Sequence, residues 1–122
     1  MAWEVEVTDE FNEWWNGLTD GEQTSVRAVV KVLMEEGPAL GFPYSSKIIT
    51  SRHPAMRELR IQHQGSPYRV LYIFDPRRMA ILLLGGDKTG DARWYEKNVP
   101  LADRIYDQYL KELQQEQNHE TD

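Results

Sequence analysis

The stretch GGDKTG, Gly85–Gly90, stands where an apolar run ends and sets a lysine and a threonine behind two glycines. Such residues can cradle a phosphate: glycine lets backbone N–H groups come close, and lysine adds charge. The nucleotide-binding loop G-x-x-x-x-G-K-[ST] would need glycines at 82 and 87 with Lys88 as its lysine, and the chain has Leu82 and Asp87 there. An aspartate would put negative charge where phosphate belongs. A dinucleotide G-x-G-x-x-G pattern is absent as well. The glycines therefore read as a strand end and turn. Lys88 keeps its interest for another reason: it follows a strand, at the end of a sheet that also carries Arg60 and Arg69.

Those two arginines belong to RELRIQH and YRVLYIFD. With Gly65-Ser66 as a two-residue hairpin loop, Ile61 faces Val70 and Leu59 faces Tyr72. Arg60 and Arg69 then become diagonal neighbours on the less apolar face, with Glu58, Gln62, Leu71 and Ile73. A one-residue slip would separate them. Two guanidinium groups side by side repel unless an anion lies between them. Either an acid such as Glu58 neutralises them, or they form a phosphate clamp, since the guanidinium fork matches phosphate oxygens.

Other chemistries are poorly supplied. The chain has no cysteine, which excludes disulfides, thiolate metal sites and a cysteine nucleophile. Its three histidines, His53, His63 and His119, lack metal-ligand spacing, so neither a metal nor a cofactor is expected. No carboxylate pair of glycosidase type stands out, and no Ser-His-Asp triad. Trp94-Tyr95 opens the last helix directly after GGDKTGDAR, so one of its rings can face the open side of the sheet.

The elements that must position these residues follow from periodicity. WEVEV, Trp3–Val7, alternates as a short strand. Thr8 or Asp9 caps a helix carrying Phe11, Trp14, Trp15 and Leu18, and Thr19 with Glu22 forms a capping box for a second helix that stops at Gly37-Pro38. Residues 37–56 form an irregular loop, with a short strand possible at Lys47–Thr50. Three strands follow: Arg57–His63, Tyr68–Asp75 and Met79–Gly85. A long helix from Trp94 to about Gln117 buries Val99, Ala102, Ile105, Tyr106, Tyr109 and Leu113, with Pro100 able to split off its first turn. The order β-α-α-β-β-β-α predicts an α+β fold, two N-terminal helices and a C-terminal helix packed on a small, mostly antiparallel sheet. A single domain is expected over 1–117, with 118–122 a disordered tail.

Charge is unevenly spread. The net charge of -6 argues against a general nucleic-acid binder, but residues 47–97 carry ten bases against five acids, flanked by two acidic segments. No apolar run is long enough to span a membrane, and the acidic start MAWEVEVTDE has no signal-peptide pattern. A cytoplasmic location is the default expectation.

MRELRI, then SPYRVLYIFDPRRMAILLLGGDKTG, then a C-terminal helix resembles the RelE/HigB superfamily of type II toxin–antitoxin toxins, and most of all its phage-derived Gp49-like HigB branch. The likeness covers roughly Met56 to Leu113; ELR with YRVLY at this spacing is its specific part. The resemblance implies a RelE-like fold and a metal-independent endoribonuclease that cuts mRNA, commonly on the ribosome, by attack of the 2′-OH on the adjacent phosphate. It implies catalytic roles for Arg60 and Arg69 as phosphate ligands, for Lys88 as a further positive charge, and for Tyr95 in stacking or proton transfer. His53, Arg57, Arg77, Arg78, Arg93 and Trp94 are the RNA-binding candidates that go with it. The implied partners are mRNA, the ribosome and a cognate antitoxin, a small helix-turn-helix DNA-binding protein in this branch. The same fold also serves ParE-like inhibitors of DNA gyrase, and the acidic balance leaves room for a non-catalytic protein-binding module.

Overall fold

In the computed structural model, which describes residues 2–120, the chain forms β1 (Glu4–Val7), α1 (Asp9–Asn16), α2 (Asp20–Glu36), a 3-10 turn (Gly37–Ala39), β2 (Ser45–Lys47), β3 (Arg57–His63), β4 (Ser66–Asp75), β5 (Met79–Asp87) and α3 (Trp94–Glu120). The expected α+β architecture is present. The strands stand in the order β1-β5-β4-β3-β2, antiparallel throughout except that β1 runs parallel to β5. Helix α3 extends past the domain boundary expected at 117, and residues 121–122 of the expected tail lie outside the described residues. None of the described helices is long and apolar enough to cross a membrane.

Local signals explain the helices. The Thr8 hydroxyl accepts from the Phe11 amide, and Thr19 with Glu22 closes a full capping box. Pro100 lies inside α3 without splitting it. It is exposed, and its ring costs one hydrogen bond on the solvent side while the opposite face stays packed. The short strand expected at Lys47–Thr50 falls instead at Ser45–Lys47.

Two apolar layers hold the sheet. Phe11, Val26 and Leu33 from α1 and α2 bury Leu59, Ile61, Val70, Tyr72 and Leu82 on one face. On the other, Val99, Ala102, Ile105 and Tyr106 of α3 bury Leu71, Ile73, Ile81 and Leu83. This second face was expected to be the less apolar one. It is apolar where α3 covers it and polar at its two ends, with Glu58, Arg60 and Arg69 towards the β3–β4 turn and Asp75 at the far end of β4.

That turn corrects the expected register. The loop is Gln64-Gly65, with φ of 49° and 82°, as a hairpin turn matched to strand twist requires. Arg60 therefore faces Arg69 directly, Leu59 faces Val70 and Ile61 faces Tyr68. The register differs from the expected one by two residues, so every side chain keeps its face. The β4–β5 pairing shifts between Leu71 and Tyr72, leaving Leu83 as an extra residue in β5. The bulge is pinned from outside: the Thr8 hydroxyl donates to the Leu83 carbonyl at 2.7 Å, and the Thr8 amide donates to that of Leu82 at 3.1 Å.

Candidate functional site

Beyond the bulge, alternation turns Gly85 towards α1 and Gly86 towards α3. Each glycine receives a tryptophan: a Cβ on Gly85 would lie 2.2 Å from Trp14, and one on Gly86 2.7 Å from Nε1 of Trp94. The Gly86 slot seats Trp94, only 4% exposed, and so fixes the first turn of α3 on the sheet. The next residue, Tyr95, then hangs over the polar end of β3 and β4.

There it meets a carboxylate. Tyr95 donates its hydroxyl proton to Oε1 of Glu58 at 2.6 Å. Arg69 Nε donates to the same tyrosine oxygen at 3.2 Å and stands 3.3 Å from Glu58 Oε1. The other carboxylate oxygen accepts from Ser46 Oγ at 2.6 Å and lies 3.5 Å from Nη1 of Arg60. Lys88 Nζ is 5.5 Å from the centre of the Tyr95 ring. Arg60, Arg69, Lys88 and Tyr95, expected from sequence to act together, are thus brought together, with Glu58 at their centre. Burial, and then the bond to Glu58, push the Tyr95 hydroxyl above its ordinary pKa, opposed by Arg69, so it is a neutral phenol at physiological pH.

Exposure divides the cluster. Glu58 and Arg69 are 5% and 4% exposed, whereas Arg60, Lys88 and Tyr95 are half-buried and open outward. Arg69, expected to hold phosphate, is instead turned inward: it also donates to the Tyr68 carbonyl at 3.0 Å and holds the carboxylate and the phenol in place. The acids of the post-strand loop are engaged locally. Asp87 accepts from the amide and hydroxyl of Thr89, and Asp91 from the Arg93 amide and Lys97 Nζ.

The expected RNA-binding residues are engaged with partners outside the polar cluster, except that Trp94 packs against Tyr95. Arg57 ties strands together, donating to Ser45 Oγ at 3.0 Å. Arg77 and Arg78 sit in the β4–β5 turn at the opposite end of β4, about 20 Å from Arg69 at the usual ~3.3 Å per residue. Arg77 is bound there to Asp75, and Arg78 lies over the Trp3 ring. Arg93 is exposed beside Glu96. Trp94 is buried and so cannot stack on a base. His53 meets Asp107 at 2.9 Å and packs edge-on to Tyr106, anchoring the β2–β3 loop to α3.

The His53 anchor carries a pH prediction. Hydrogen bonds from Arg52, then from His53, hold the Asp107 carboxyl below its usual range. A depressed carboxylate contributes stability above its unfolded pKa of about 3.9, and that contribution is lost as pH falls through the lower folded value. The hydrogen-bonded amides of Arg52, His53 and Met56 should therefore lose hydrogen-exchange protection below about pH 4, ahead of the β4–β5 core. An Asp107→Asn variant should show that loss already at pH 7.

Glu58 is the residue that sequence reasoning valued too little. Alternation put it on the arginines' face as a neutraliser, but nothing in the strand pattern announced that Tyr95 would reach it. No group of three or more His, Cys, Asp or Glu able to hold a metal occurs among the described residues. The arrangement offers a phenol that can pass its proton to a buried carboxylate, bordered by two outward-facing cations.

Residues 13–107 match the family described as phage-derived protein Gp49-like. The chain is 41% identical over 107 residues to the candidate toxin HigB3 of Mycobacterium tuberculosis, covering 87% of this chain and 92% of that protein. It is 39% identical to the candidate toxin HigB2 of the same organism over 93% of this chain, but spans only 57% of that protein's length. Among solved structures it is similar to a mutant of the Escherichia coli toxin RelE in the free state, with a TM-score of 0.55, 13% identity, and coverage of 92% and 98% of the two chains. It is also similar to a chain of the toxin–antitoxin complex RelBE2 from M. tuberculosis, with a TM-score of 0.53, 15% identity, and coverage of 71% and 99%. At these identities the structural likeness speaks for the fold.

Proposed function

The chain belongs to the phage-derived Gp49-like family, in the RelE/HigB group of toxins, and from that premise we propose that it is the toxin of a toxin–antitoxin pair and an endoribonuclease that cleaves mRNA without a metal, on the ribosome. The observation that carries this reading is the Tyr95 hydroxyl held between the Glu58 carboxylate and the Arg69 guanidinium, with Arg60 and Lys88 at the opening. Cleavage by the RNA's own 2′-OH needs a proton acceptor, a proton donor and fixed positive charge at the phosphoryl oxygens.

In this reading Tyr95 takes the 2′-OH proton as its own passes to Glu58. The 2′-oxygen bonds to phosphorus and the bond to the 5′-oxygen breaks. Arg60 and Lys88 hold the charge that develops on the phosphoryl oxygens, and the Lys88 ammonium protonates the departing 5′-oxygen. The products are a 2′,3′-cyclic phosphate and a 5′-hydroxyl. Arg69 positions Tyr95 and pairs with the buried Glu58 carboxylate. A cognate antitoxin would keep the protein silent in the cell, as expected of a toxin in such a pair.

The test is expression of the free protein in cells with primer extension on abundant transcripts. Wild type should generate new 5′ ends and cyclic-phosphate termini. Lys88→Ala should lower their rate by about 10²–10³-fold, as for loss of one preorganised electrostatic donor. Transcripts that stay intact while DNA damage and filamentation appear would replace this reading by gyrase inhibition. Unaffected growth without the antitoxin would leave a binding module.

A further inference from the structure

Phe42 is 77% exposed, in the segment between the 3-10 turn and β2, and belongs to neither apolar layer. An apolar ring held out in water gains nothing from burial, so its neighbours matter. The Arg60 guanidinium carbon lies 5.2 Å from its ring centre, and among the described residues no other ring packs on it. Arg60 is the same side chain that borders Glu58 at 3.5 Å. Phe42, Arg60, Glu58, Tyr95 and Lys88 therefore form one continuous line, aromatic at one end and cationic at the other. The backbone couples its parts too: the Arg60 amide donates to the Tyr44 carbonyl at 2.9 Å, tying the loop to β3.

Resting on the reading of the cluster as an RNA phosphate site, we propose that Phe42 is a stacking shelf for a base flanking the scissile phosphate, with Arg60 joining shelf to phosphate. Single-stranded nucleic acid is held by this combination, a cationic track for the backbone and an exposed ring for a base. Arg60 on one face leaves the other to the base, and a guanidinium against the ring adds a cation–π contribution. Every base has a π-face, so the shelf fixes the position of the strand and tolerates its sequence. The ring lies beyond Arg60 as seen from Tyr95, so the stacked base flanks the cleaved linkage and is not the one at it.

The experiment measures binding of a fully 2′-O-methylated RNA oligonucleotide, which cannot be cut, both free and threaded as mRNA on ribosomes. The proteins are wild type, Phe42→Ala, Phe42→Trp and Lys88→Ala, and a matched oligonucleotide series carries one abasic position moved along the strand. Phe42→Ala should weaken binding by roughly 5- to 150-fold, the usual worth of one stacked base, and Phe42→Trp should restore it. One abasic position should weaken wild type while leaving Phe42→Ala unchanged. If Phe42→Ala binds like wild type while Lys88→Ala binds weakly, the shelf is overturned and the RNA site stands. If wild type binds in neither setting, or Lys88→Ala and Phe42→Ala both bind like wild type, the shelf falls together with the RNA reading.

Discussion

Tyr95→Phe should lower RNA cleavage by about 10²–10⁴-fold, the usual contribution of a positioned general acid or base. The variant deletes one oxygen. In the proposed mechanism that oxygen starts the proton relay to Glu58, to which it donates, and it also accepts from Arg69. The ring, its packing against Trp94 and the Lys88 contact all remain. Glu58 keeps Ser46, Arg60 and Arg69, so the folded state should lose at most about 1–3 kcal/mol. Binding of an uncleavable RNA should hardly change, placing the loss in kcat and not in KM. A Tyr95→Phe protein that cuts at the wild-type rate would remove the phenol from the mechanism. Glu58 is a blunter target, because its removal strands the buried Arg69 without a charge partner and confuses folding with chemistry.

Much of this arrangement is legible in the chain itself. Alternation in RELRIQH and YRVLYIFD puts Glu58, Arg60 and Arg69 on one face. That assignment survives a misplaced hairpin loop because the error is two residues and the side-chain period is two. The helices announce themselves through Thr8, the Thr19–Glu22 box and the apolar spacing of Val99 to Tyr106. What alternation cannot convey is where α3 lands. Tyr95 reaches Glu58 only because Trp94 finds a slot above Gly86, a contact between residues remote in sequence. Nor does a count of charges carry distance. Arg69 and Arg77 are eight positions apart in one basic segment, yet the length of β4 sends Arg77 to the far end of the sheet, where Asp75 holds it. Asp87 and Asp91 look hostile to phosphate in the sequence, but their oxygens are engaged in shaping their own loop.

The two glycines of GGDKTG should respond to the same substitution in different ways. A Cβ on Gly85 would come within 2.2 Å of the Trp14 ring, which is itself wedged against Phe11 and Tyr68. A stiff ring among stiff neighbours cannot yield cheaply, so Gly85→Ala should destabilise by about 1–3 kcal/mol or more. Its effect stays on the α1 side of the sheet, and the fraction that folds should still cleave. A Cβ on Gly86 would sit 2.7 Å from Trp94 Nε1. To relieve that contact the indole must lift, and because Tyr95 is its neighbour in the first turn of α3, the phenol lifts off Glu58 with it. A displacement of about 1 Å at a catalytic group can cost about 10²-fold in rate. Gly86→Ala should therefore lose cleavage beyond what its unfolded fraction explains. Urea unfolding paired with cleavage at matched folded fractions separates the two variants. Equal specific activity of the folded Gly85→Ala and Gly86→Ala proteins would mean that something other than the Trp94 slot sets the position of Tyr95. A selective loss in Gly86→Ala would make the second glycine a positioning residue, acting on the RNA through an indole that never touches it.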